Sequence, residues 1–219
     1  MSATDPSKLK EQTAFINRLL ESAAPEAAEQ HFRLLADHSD ERFRQMLFAA
    51  YRRRGPPGVE PLVNYIKNET AGELTADAIK LLGLLQASEQ SFLISRQLDS
   101  ENVGVREAAA ISLGWLGRFG EAKLLAEHFE SETEPRVRLW IPSSLRQIFW
   151  AKRSSAAQLV PLFLNFAKET NNDVRAMIVV SLTDISGVQF GLRENAKTAV
   201  IAGSVETAWP KAVSHLNSL

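Results

Sequence analysis

Histidines, tryptophans and two arginine-rich stretches are the residues of this 219-residue chain best equipped for chemistry. The histidines are His31, His38, His128 and His215. No two stand at i, i+4 and no His-Glu-x-x-His occurs, so no helix turn offers a paired grip for zinc. Cysteine is absent, which removes disulfides and thiolate metal sites. Neither a Gly-x-Ser-x-Gly turn nor a phosphate-cradling glycine loop is present. Gly114, Gly117 and Gly120 are spaced by three, but they close a helix instead of opening one after a strand. The expectation is a chain with no catalytic residue, no metal and no cofactor.

The elements that must position the remaining candidates repeat along the chain. "VGVREAAAISLGWLG" at Val105 has a counterpart 31 residues earlier in "GELTADAIKLLGLLQ", and another 32 residues later in "PRVRLWIPSSLRQIF". A further 37 residues gives "NDVRAMIVVSLTDIS", and 31 before Leu74 lies "ERFRQMLFAAYRRRG". Val105, Ala109, Leu113 and Leu116 define apolar offsets 0, +4, +8 and +11, one face of a helix. Arg54 takes the last slot of the earliest copy, which is therefore the weakest. Between the copies, Pro61-Leu62 and Pro161-Leu162 mark starts of second helices, where proline's missing N–H has no partner to lose. Each unit reads as helix, turn, helix. Gly55 to Gly58, Gly117 with Gly120, and Gly187 read as stops, and Asp5 and Asp173 as N-caps. Pro142, inside a first helix, predicts a kink.

Against this register the tryptophans stand out. Trp115 shares its slot with Leu84, Gln147, Asp184 and Arg53, and Trp140 shares its own with Asp77, Ala108, Met46 and Met177. Slots that accept Asp or Arg in sibling units reach the surface, and exposed Trp and Arg dominate binding hot spots. Trp150 lies beside the inserted polar turn at Lys152, while Trp209 reads as packing. Basic residues cluster at Arg42–Arg54 and again from Arg136 to Arg175, with an acidic middle between them. Trp115, Trp140, Trp150, Arg138, Arg146 and Arg153 are the candidate partner-binding residues. A formal net charge of −1, with 45% hydrophobic and 23% charged residues, fits a globular chain and argues against nucleic acid or an anionic membrane as partner.

The pattern resembles the HEAT repeat superfamily, and within it the short bacterial repeats of phycobilisome-lyase type. Val105-Arg106, Ala109, Leu113-Gly114 and Leu116-Gly117 carry the likeness, echoed by Val137-Arg138 and Asp173-Val174-Arg175. It covers residues 41–187. The resemblance implies an all-α, right-handed α-α superhelix of about five helical hairpins in one domain. Residues 1–40 and 188–219 then form helical caps. It also implies that second helices line a concave gripping surface, and that Val-Arg arginines brace neighbouring units. Some HEAT-like hydroxylases hold iron through repeated His-Glu pairs; here only the reversed Glu127-His128 occurs, once. The expected function is non-catalytic protein binding in a bacterial cytoplasm, as an immunity or inhibitor protein or an adaptor. The alternative is an enzyme or enzyme subunit, bilin lyase-like or a DNA glycosylase-like nucleic-acid binder.

Overall fold

The computed structural model of the chain describes residues 6–22, 24–37, 39–68 and 72–219; Asp5 and His38 lie outside them. Among the described residues, six first helices alternate with six second helices. The first helices are α1 (Pro6–Glu21), α3 (Glu41–Tyr51), α5 (Glu73–Leu84), α7 (Val103–Leu116), α9 (Pro135–Trp150) and α11 (Asn172–Ser186). The second helices are α2 (Pro25–Arg33), α4 (Val59–Asn68), α6 (Ser91–Ser95), α8 (Phe119–Ser131), α10 (Ala156–Leu159) and α12 (Val205–Leu216). Helices α6 and α10 run on as 3-10 turns over Arg96–Asp99 and Val160–Phe166. A small antiparallel pair, β1 (Arg193–Glu194) with β2 (Ile201–Ala202), joins α11 to α12. The architecture is an all-α HEAT-like solenoid.

The repeated apolar slots form its core. Val105, Ala109 and Leu113, then Val137, Ile141 and Leu145, then Val174, Ile178 and Leu182, are fully buried. One continuous cluster extends from Ile16 in α1 to Leu216 in α12, with each first helix burying its stripe against its neighbours. A lone hairpin would leave such a stripe wet, which is why the units stack.

Small residues set how closely first helices approach. A Cβ on Gly83 would lie 2.7 Å from Trp115, and one on Gly114 would lie 2.8 Å from Ser144. At these contacts a serine hydroxyl bridges the helices. Ser112 donates to the Ile79 carbonyl at 3.1 Å, and Ser144 to the Ala110 carbonyl at 2.8 Å.

Several local expectations need correction. Asn171, not Asp173, caps α11; the backbone N–H groups of Asp173 and Val174 both donate to its side chain. Gly120 sits inside the first turn of α8 rather than ending α7, whose C-cap is Gly117. Pro142 lies inside α9, where the sequence placed it, and the helix continues to Trp150 with Ile141 and Leu145 buried on either side. Burial of those flanks offsets the single backbone hydrogen bond that a proline forfeits.

The Val-Arg arginines form an ionic spine. Arg106 makes a two-pronged pair with Glu132, at 2.7 and 3.0 Å. Glu132 in turn accepts the backbone N–H groups of Thr133 and Glu134, which lead into α9. One unit later, Arg138 pairs with Glu169, and Glu169 accepts from Thr170 and Asn171 ahead of α11. Burial by itself would raise the Glu132 carboxyl. The hydrogen bonds from Arg106 and the Glu134 N–H, helped by the Arg106 charge and His128, outweigh it and hold the group down at about 2.

Candidate functional site

The first-helix layer presents a cleft that crosses four successive units. It is lined by Arg52 just past α3, Leu84 and Gln86 at the end of α5, Trp115 on α7, and Trp150 with Arg153 at the end of α9. No acidic side chain lines it. Trp115 is half-buried and abuts Gly83, whereas Trp150 is 55% exposed. Arg153 ties the floor together by donating to the Trp115 carbonyl and, at 3.1 Å, to Gln86 Oε1. The cleft exists because the slot two residues after each bridging serine is glycine in α5 and α7. The helices close there, and the larger side chains one position on are left standing at the rim.

A second concavity lies beyond Trp150. Its walls are α9, α11 and the segment carrying β1 and β2, and its cations are the buried Arg146 and the exposed Arg193. The guanidinium of Arg146 stacks on the Trp150 ring at 4.6 Å and donates from Nη1 to Glu194 at 2.6 Å and to Asp184 at 3.4 Å. Trp150 and Arg146 thus join the two concavities into one path along the first-helix face. Among the described residues concavities occur on both layers: the Trp115 cleft on the first helices, and another between the second helices α2 and α4.

The six candidate residues separate. Trp115, Trp150 and Arg153 share the cleft. Trp140 lies further along the same face, its indole N–H donating to Glu107 Oε1 at 3.0 Å. Arg146 is 6% exposed rather than on the surface. Arg138 stands apart: besides Glu169 it donates to the Phe129 and Glu132 carbonyls and lies over the Phe129 ring at 3.8 Å. Arg52 and the segment around Glu194 were missed. Arg52 was visible only as one of a run of arginines, and Glu194 carried no local signal.

The arginine clusters are largely consumed inside the molecule. Arg44 pairs with Asp77, Arg136 with Glu107, and Arg175 donates to the Glu169 carbonyl at 2.6 Å. Arg54, occupying its core slot, donates to the Leu19, Ser22 and Ala27 carbonyls. A basic track for nucleic acid needs cations presented outward, and bracing removes most of them. His128 leans on Glu132 at 3.3 Å, and among the described residues no three histidine or acidic side chains converge as a metal-ligand set.

Residues 59–146 match the family model for HEAT repeats. Over that stretch the chain is similar to HEAT repeats. The match spans α4 to most of α9, the stretch in which the bridging serines, contact glycines and the Arg106–Glu132 pair occur. HEAT repeats commonly mediate protein interactions, and the Trp115 cleft lies on the face formed by their first helices. No curated protein matches the chain. Among the described residues, no helix is long and apolar enough to cross a membrane.

Proposed function

We propose that this chain is a non-catalytic protein-binding scaffold whose first-helix face receives a segment of a partner protein. One observation carries the reading: an acid-free cleft that sets Trp115 and Trp150 between Arg52 and Arg153 across four consecutive units. Large aromatic surfaces beside cations supply apolar burial together with oriented hydrogen bonding, the combination on which interface affinity concentrates. The rigid stack beneath them lowers the ordering penalty of association. An immunity or inhibitor protein, or an assembly adaptor, would each use such a surface, and short bacterial repeats of phycobilisome-lyase type suit either role.

The test is affinity capture from native lysate with the tagged chain, run beside a Trp150→Ala, Arg52→Glu double variant. Both side chains are exposed, so the variant should match the parent in helicity and melting. Recovery of one stoichiometric protein with the parent and its loss with the variant supports the reading. Recovery of nucleic acid or a coloured chromophore in its place overturns it.

A further inference from the structure

The three buried side-chain polar atoms without a hydrogen-bond partner among the described residues are Arg146 Nε, Ser181 Oγ and Thr183 Oγ1. All three belong to α9 and α11, which pack against each other. Buried polar groups in folded proteins are nearly always satisfied, and a cluster of exceptions calls for a cause.

The repeat register supplies one. Ser181 stands where Ser112 and Ser144 stand in the preceding units, yet it makes no bridge to the neighbouring helix. Two residues on, where α5 and α7 carry the contact glycines Gly83 and Gly114, α9 and α11 carry Arg146 and Thr183. A guanidinium has replaced the hydrogen atom that lets the layers close. The result is a cavity of about 570 Å3 lined by Arg146, Trp150 and Thr183.

What covers this cavity is the segment from Arg193 to Ala199, which follows Phe190 and Leu192, both anchored in the core. Its β1–β2 pairing is only two residues long on each side, and residues 195–200 are all exposed. Gly191 and Gly203, with φ of 106° and 117°, flank the pair, a conformation open to glycine and strained for other residues. Gly203 also lies so close to the Gly191 carbonyl that no Cβ would fit there. The polar anchor of this flap on the helices is the contact between Glu194 and Arg146. That contact is one-pronged, because both carboxylates use Nη1 and Nε–H is left over. A guanidinium gains most from two parallel bonds to one carboxylate.

We propose that Arg146 is a recognition site for an acidic side chain of the partner, and that Glu194 is the chain's own occupant of it, displaced when the flap swings out. The inference rests on the first-helix face being the docking surface, and Trp150, common to both concavities, makes the two continuous. A carboxylate is assigned because the site already holds Glu194 and Asp184 oxygens against the guanidinium.

The test needs no natural partner. Binding of hexaglutamate to the full chain is measured by calorimetry at low salt. Glu194→Gln removes the internal charge without touching the helix stack. The expected result is affinity raised roughly tenfold over the parent, the factor by which a closed state favoured about ten to one lowers apparent affinity. Equal affinity for parent and variant, or an equal gain for hexathymidylate, would each overturn the proposal. The lysate capture reads the Trp115 cleft independently, so failure of either idea is recognisable without the other.

Discussion

Arg54 Nε–H points at His31 Nδ1 across 3.0 Å, and the opposite nitrogen of that ring meets the Leu47 carbonyl at 2.9 Å. A carbonyl can only accept and the arginine can only donate. The ring is therefore neutral, with its proton on Nε2. Burial, reinforced by the Arg54 charge and opposed by the Leu47 hydrogen bond, pushes His31 down to about 4.

That shift ties stability to pH. The unfolded chain takes up a proton near 6.5 while the native one resists until about 4. The stabilisation is fully present above 6.5 and is lost as pH falls toward 4. The loss is on the order of 3 kcal/mol. Denaturant unfolding of the parent should weaken over this window, and the slope should vanish in a His31→Phe variant.

Glu132 acts in a lower window. Its carboxyl is held at about 2, so the spine contributes fully above the ordinary 4.5 and weakens only as pH falls below it. Glu132→Gln should cost about 3 kcal/mol, because it strands the Arg106 guanidinium on a half-buried helix start. Thermal melts at neutral pH check the size of the effect. A change within experimental error would mean that the spine is ornamental.

Gly114→Ala and Gly83→Ala should differ in kind. The new methyl at 114 meets the Ser144 backbone at 2.9 Å, so α7 and α9 must part; a penalty of about 1–3 kcal/mol is expected. At 83 the obstacles are the side chains of Trp115 and Ser112, which can shift. Gly83→Ala should therefore disturb partner capture more than melting temperature. The two variants are compared by calorimetry and capture side by side.

Leu113→Asp should unfold the solenoid, since it places an unpaired charge at a fully buried slot in the middle of the stack. Circular dichroism decides: a helical variant with the parent's melting curve would contradict the register. Arg146→Ala should also lower stability. The residue is buried and ion-paired to two carboxylates, which its removal would leave without their cation.

The apolar register was legible in the sequence because helical burial is a local, periodic property. Offsets 0, +4, +8 and +11 located the core slots, and Arg54 marked the copy that departs from them. Partnership across the stack has no such signature. That Arg138 braces Glu169, that Arg54 fills a core slot by bonding three carbonyls, and that Arg146 is buried under Glu194 each depend on residues some 27 to 48 positions apart. A one-residue difference in loop length would change those neighbours while leaving every local pattern intact. The sequence alone thus determined an all-α repeat and its buried stripe. Only the packed stack decided which arginines and tryptophans remain at the surface, because packing at Gly83 and Gly114, and its interruption at Arg146, sets what lies across from each.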